Sequence, residues 1–101
     1  MRESLLTAKI ITELKRRIRA GERLWFLKIH GGPFQRSGVP DLLIVRNREA
    51  HGEALWVEVK GDGEVTRLQA HTIGQLRRVG CRVLVARSVD DVLNFLNEEN
   101  A

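Results

Sequence analysis

The run Leu55-Trp56-Val57-Glu58-Val59-Lys60 sets a carboxylate and an ammonium two residues apart in an otherwise apolar stretch. Side chains alternate along a strand, so Leu55, Val57 and Val59 share one face while Trp56, Glu58 and Lys60 share the other. Taken alone, the pair is best read as an exposed ion pair on an edge strand, worth ~0–1 kcal/mol. Asp41 changes that reading. It follows Gly38-Val39-Pro40 and opens the apolar run Leu42-Leu43-Ile44-Val45. A carboxylate at the mouth of a buried strand is costly unless it is paired or binds a cation. If the two runs form a hairpin, Asp41 approaches Glu58 and Lys60. Two adjacent carboxylates repel, and an oxygen-seeking divalent ion relieves the conflict.

Such a set suits phosphodiester hydrolysis. That reaction needs an activated water and neutralisation of the charge that builds on phosphorus, and a bound metal supplies both. A neighbouring lysine adds fixed positive charge where negative charge develops. Two carboxylates plus substrate oxygens favour Mg²⁺, or Mn²⁺ in its place, over Zn²⁺. No serine or cysteine nucleophile with a partnering base is visible.

The elements that must hold these groups follow from periodicity. Leu6, Ile10, Leu14 and Ile18 recur at helical spacing and predict a helix from Glu3 to about Ala20. Glu3 falls on the centre line of that apolar stripe, at the helix start, where it is either a third acid of the site or a favourable charge on the macrodipole. Glu13 falls on the flank and reads as a solvated residue. Leu24 to Ile29 predicts a strand, His30 to Gly38 a loop rich in breakers, and Pro40 to Val45 a short buried strand. Arg46 to Glu53 reads as a polar hairpin connection and Ala54 to Lys60 as the third strand. After the turn at Gly61-Asp62-Gly63-Glu64, the capping box Thr66-Arg67-Leu68-Gln69 opens a helix that Gly80 stops. Gln69 faces inward, serving either the cap or the site. Arg82 to Ala86 predicts a fourth strand, and Ser88-Val89-Asp90-Asp91 caps a last helix carrying Val92, Leu93, Phe95 and Leu96. The order α-β-β-β-α-β-α predicts a meander of three strands and a parallel crossover to the fourth, a mixed sheet flanked by helices.

Composition narrows the alternatives. The 101 residues suit one domain spanning 1–101. There are 17 Lys+Arg against 13 Asp+Glu, a formal charge of +4, which permits a nucleic-acid partner. The one cysteine, Cys81, excludes a disulfide within the chain and a multi-cysteine zinc site, and is read as a buried small residue. The absence of tyrosine excludes nucleases that use an active-site tyrosine. The histidines His30, His51 and His71 lack helix-type ligand spacing. No stretch is apolar and long enough to span a membrane, and the polar start lacks a signal-peptide core, so a cytoplasmic location is expected. Gly61-Asp62-Gly63-Glu64-Val65-Thr66 is a poor dinucleotide loop, because Asp62 and Glu64 would repel a pyrophosphate.

Gly38-Val39-Pro40-Asp41, followed by Glu58-Val59-Lys60, resembles the signature of the PD-(D/E)XK nucleases. With Lys28-Ile29-His30-Gly31-Gly32-Pro33-Phe34, Trp56-Val57-Glu58-Val59-Lys60-Gly61, Leu68-Gln69 and Ser88-Val89-Asp90-Asp91-Val92, the chain resembles the VRR-NUC (virus-type replication-repair nuclease) branch from Glu3 to about Leu96. The resemblance implies a restriction-endonuclease-like αβββαβ core with an added C-terminal helix. It implies a Mg²⁺-dependent deoxyribonuclease of the stand-alone phage or bacterial type, working in the cytoplasm of a bacterial or phage-infected cell, similar in fold to Holliday-junction resolvases and acting as a homodimer on branched DNA. Asp41, Glu58 and the Val59 carbonyl match metal ligands, and Lys60 matches the lysine that positions the attacking water. Glu3 matches the first-helix acid and Gln69 the glutamine after the third strand. The segment from Arg19 to Arg23 is longer than the family pattern, which keeps Glu13 open. DNA contacts are expected from Lys28, His30, Gln35, Arg36 and Ser37, and from Arg67, His71, Arg77 and Arg78 on or near the second helix. The competing reading is a non-catalytic DNA-binding module that keeps the fold.

Overall fold

The computed structural model describes residues 1–29 and 38–98. The elements run α1 (Glu3–Arg19), β1 (Leu24–Lys28), β2 (Leu42–Arg48), β3 (His51–Val59), α2 (Arg67–Arg78), β4 (Arg82–Ala86) and α3 (Val89–Leu96). The sheet order is β1-β2-β3-β4, with the first two pairings antiparallel and β3–β4 parallel. This is the mixed α/β fold that the sequence pattern predicts. β3, which carries Glu58, is an interior strand, so the edge-strand reading of the Glu58–Lys60 pair does not hold.

One face of the sheet holds the main core. Leu6, Ile10 and Leu14 of α1 meet Leu42 and Ile44 of β2, Leu55, Val57 and Val59 of β3, and Val92 and Phe95 of α3. The α1 stripe ends at Leu14, and Ile18 is 36% exposed rather than buried. Ile73 of α2 and Val83 of β4 are buried outside this cluster, which places α2 against β4 on the other face. The predicted capping box of α2 forms, and the predicted cap of α3 is a capping box as well. Thr66 and Gln69 close the start of α2, and Ser88 and Asp91 close the start of α3.

The hairpin between β2 and β3 is longer than the polar sequence suggests. The ladder reaches Arg48↔His51, leaving only Glu49 and Ala50 in the turn, with φ of 51° and 67°. Positive φ at both central residues is what a type I′ turn requires, at a cost that Asn-Gly would avoid. Ion pairs hold this end of the ladder. Arg46 pairs with Glu53 at 2.9 Å, and Arg48 pairs with the other oxygen of Glu53 at 2.9 Å. Arg46 is only 6% exposed. Its guanidinium stacks 4.3 Å from the centroid of the Phe95 ring, Arg82 lies 4.7 Å from the same centroid, and Arg46 donates to the carbonyl of Phe95 at the end of α3. Replacing Arg46 with Met removes donors from buried acceptors, so Arg46→Met should lower the unfolding free energy by about 2–4 kcal/mol. Urea denaturation checks this as a fall in the midpoint at unchanged slope.

β2 starts at Leu42, not Pro40, because Pro40 has no N–H to give to the ladder. β1 ends at Lys28, one residue before Ile29, although the Ile29 N–H still donates to the Asp41 carbonyl at 2.8 Å. Cys81 is half-buried.

Candidate active site

The two acids meet where β2 begins and β3 ends. Leu42 pairs with Val57, so Asp41 comes level with Glu58. The Asp41 carboxylate accepts the Val59 N–H at 2.8 Å, and its own carbonyl accepts from Ile29. Asp41 is thus tied to both neighbouring strands. Gly38, three residues earlier, has φ +85°, and a Cβ there would lie 2.9 Å from Thr72 Oγ1 and 3.1 Å from the Leu68 carbonyl. The chain entering Asp41 therefore rests directly on α2.

Glu58 is 2% exposed, and its Oε2 has no hydrogen-bond partner among the described residues. Burial pushes its carboxyl up to about 7; the Asp41 carboxylate adds to the rise, Lys60 opposes it, and Glu3 adds a smaller push. Lys60, 5% exposed, lies just beyond the end of β3. Its Nζ is 3.4 Å from Glu3 Oε1 and 3.9 Å from Glu58 Oε1.

The start of α1 packs on the turn after Lys60. Gly63 N–H donates to the Lys60 carbonyl at 2.8 Å, and Asp62 N–H to the Met1 carbonyl at 3.3 Å. The Met1 ammonium pairs with the Asp62 carboxylate. Gly61, at φ +53°, has no room for a side chain, since a Cβ would fall 2.1 Å from the Met1 carbonyl oxygen. Arg87 holds the turn from the far side by donating to the carbonyls of Gly61 at 3.1 Å and Gly63 at 2.6 Å. Sequence reasoning missed Arg87, because nothing in its local pattern distinguishes it from a surface cation.

Glu3 therefore sits against Lys60, although it is exposed and not in the core. Glu13 is engaged elsewhere, with Arg16 and Arg17. Those guanidinium groups, Arg16 first, hold its carboxyl below the usual range. Gln69 uses its side-chain oxygen to accept the Thr66 N–H at 3.0 Å, which leaves its NH₂ as the group any site role would use. Lys28, Arg67, His71 and Arg78 are exposed. Arg77 donates to the Val83 carbonyl at 3.0 Å and is committed to packing α2 on β4. The expected contacts His30, Gln35, Arg36 and Ser37 lie outside the described residues.

Among the described residues, no three His, Cys, Asp or Glu side chains cluster closely enough to hold an ion by themselves. Mg²⁺ does not need such a cage; it is commonly held by one or two carboxylates, with water and substrate phosphate completing the shell. A buried carboxylate oxygen without a partner, beside a second carboxylate, fits a hard cation. A larger hollow, about 500 Å³, opens at the hairpin end between Arg23, Arg46 and Glu98. None of the candidate catalytic residues lines it, and its Arg46, Arg48 and Glu98 are ion-paired.

With this geometry in place, comparison with known proteins is decisive for the family. The VRR-NUC domain profile matches residues 4–90. The chain belongs to the VRR-NUC domain family. A solved structure described as a VRR_NUC domain is 27% identical, with a TM-score of 0.62, covering 92% of this chain and 96% of its own. A second, a VRR_NUC domain protein, is 24% identical with a TM-score of 0.74, covering 95% of this chain and 85% of its own, and shows the shared fold. No curated protein matches the chain. The VRR-NUC family is a nuclease family, so nucleic-acid hydrolysis is the frame for its site. No helix among the described residues is long and apolar enough to cross a membrane.

Proposed function

We propose that this VRR-NUC domain is a Mg²⁺-dependent deoxyribonuclease that hydrolyses phosphodiester bonds, with branched DNA as its preferred substrate. The observation that carries the proposal is Glu58, a buried carboxylate with an unpartnered oxygen, set between Asp41 and Lys60. Asp41, Glu58 and the Val59 carbonyl would hold the ion, with Glu3 bordering it through Lys60. A bound Mg²⁺ supplies charge neutralisation at phosphorus and a more acidic water.

The chain's own groups do the rest. The Val59 N–H fixes the Asp41 carboxylate on the side facing Glu58. Lys60, enclosed between two acids, presents a localised cation from a rigid position, where it can donate to a phosphate oxygen or to the attacking water. The Gln69 NH₂ can orient a phosphate oxygen from the start of α2. Lys28, Arg67 and His71 supply phosphate contacts, which position DNA without reading its sequence. Mn²⁺ should substitute for Mg²⁺.

A homodimer is part of this reading. Trp25, 54% exposed, and Leu27, 48% exposed, stand on the face of β1 opposite the core, next to Val45, Leu43 and Trp56. This face supports docking of a second copy, and a two-fold dimer suits paired cuts on a four-way junction. Sedimentation velocity should show a dimer at cleavage concentrations and a monomer for Trp25→Lys; a monomeric wild type that cleaves at its full rate would reject the dimer. The function itself is tested with labelled duplex, flap, splayed and four-way DNAs in Mg²⁺ and in Mn²⁺. Cleavage of the branched forms is expected. DNA binding without cleavage in either metal would favour the non-catalytic module instead.

A further inference from the structure

On the α1 side, the site opens onto a cleft that reaches Asp41. A cleft of about 410 Å³ lies between α1 and the end of β1, lined by Ser4, Ala8, Ile11 and Thr12 on the helix and by Lys28 and Asp41 on the sheet side. β1 is the edge strand, so no further strand of the described sheet closes this side. Apart from Ile11, these helix residues are small, which leaves the space open.

The helix flank above the cleft is basic. At about 100° per residue from Ser4, Ala8 falls near +40°, Ile11 near −20°, Lys15 near +20° and Arg19 near +60°. Lys15 and Arg19 therefore continue the row that lines the cleft, with Lys15 about 16 Å along the axis from Ser4. The two acids of α1 lie off this row, Glu3 near −100° and Glu13 near 180°. Their contacts agree, since Glu3 meets Lys60 and Glu13 meets Arg16 and Arg17. Lys15, Arg19 and Lys28 are exposed, and none of their side chains has an ion pair or hydrogen bond among the described residues. The carboxylate along this path is Asp41 itself.

We propose that this cleft carries the sugar–phosphate backbone of one DNA strand to and from the cut, with Lys28, Lys15 and Arg19 contacting successive phosphates. The inference rests on the nuclease reading and extends it. A cleft this small excludes a duplex but admits one backbone. It ends on an acid of the proposed hydrolytic site, which sets a scissile phosphate at its inner end. Unpaired cations along one helix row match a linear polyanion, and releasing its counterions supplies the binding free energy.

The test is DNA binding in Ca²⁺, measured across salt concentrations, with cleavage in Mg²⁺ measured in parallel. The double variant Lys15→Glu/Lys28→Glu leaves the core untouched, and a glutamate at 15 can pair with Arg19 one turn on. It should weaken DNA binding by tenfold or more at low salt and flatten the slope of log K against log salt by about 2. Ala8→Phe, at an exposed position, should weaken binding by obstruction with the salt slope unchanged. Wild-type affinity and slope in the double variant would overturn the inference, and would be the result if the flank served an acidic protein instead. Wild-type protein that binds DNA but never cleaves it would count against the nuclease reading alone. The strand path is then still decided by the double variant.

Discussion

Asp41→Asn and Glu58→Gln should each lower single-turnover DNA cleavage by more than ~10³-fold, or at least ~4 kcal/mol of barrier, while the protein stays folded. Each swap keeps the shape of the side chain and removes the charge a hard cation needs. Cleavage near the wild-type rate in either variant would remove the acid pair from the mechanism. Glu58→Gln also carries a stability signature that does not depend on activity. The folded protein holds the Glu58 proton up to about pH 7, against an ordinary value of 4.5. Folding therefore favours the protonated form, and the associated stability is present below about pH 4.5 and lost as pH rises through 7. Fully ionised, the buried group weakens the metal-free fold by about 3 kcal/mol. Glu58→Gln should thus melt higher than wild type at pH 8 without metal, with the gap closing by pH 5. Thermal melts at the two pH values in EDTA check this, and a gap independent of pH would contradict the buried-carboxylate account.

Lys60→Met gives the second large effect. If Lys60 were only an exposed salt-bridge partner of Glu58, its loss would change stability slightly and turnover little. Lys60 is instead buried between Glu3 and Glu58, at 3.4 and 3.9 Å, where a fixed cation faces the developing charge of the reaction. Removing such a stabiliser should slow the chemical step by ~10²–10³-fold. DNA affinity in Ca²⁺ should be nearly unchanged, because other cations hold the phosphates. Equal losses in rate and affinity would recast Lys60 as a phosphate anchor.

Period-2 alternation placed Trp56, Glu58 and Lys60 on one face, and the hairpin brought Asp41 to Glu58 as the apolar runs implied. Local chemistry made the caps legible too, since Thr66/Gln69 and Ser88/Asp91 carry their own partners within four residues. What stayed hidden depends on distant partners. Arg46 reads as a polar hairpin residue because Phe95 and the last carbonyls of α3, which bury it, are some fifty residues away. The turn at Glu49 and Ala50 carries no glycine to announce its positive φ, so the strands run further than composition suggests. The burial of Lys60 follows from α1 docking on Gly61 and Gly63, a contact between chain start and mid-chain that no periodicity encodes.

The central claim is that Asp41 and Glu58 together hold a divalent ion, and calorimetric titration of the protein with Mn²⁺ at pH 7 tests it most directly. Run in two buffers of different ionisation enthalpy, the titration also counts protons. With Glu58 titrating at about 7, each bound ion should displace about half a proton, and both the binding and the proton release should vanish in Asp41→Asn and in Glu58→Gln. Mn²⁺ binding of unchanged affinity in those variants, or no binding to the wild type, would contradict the account.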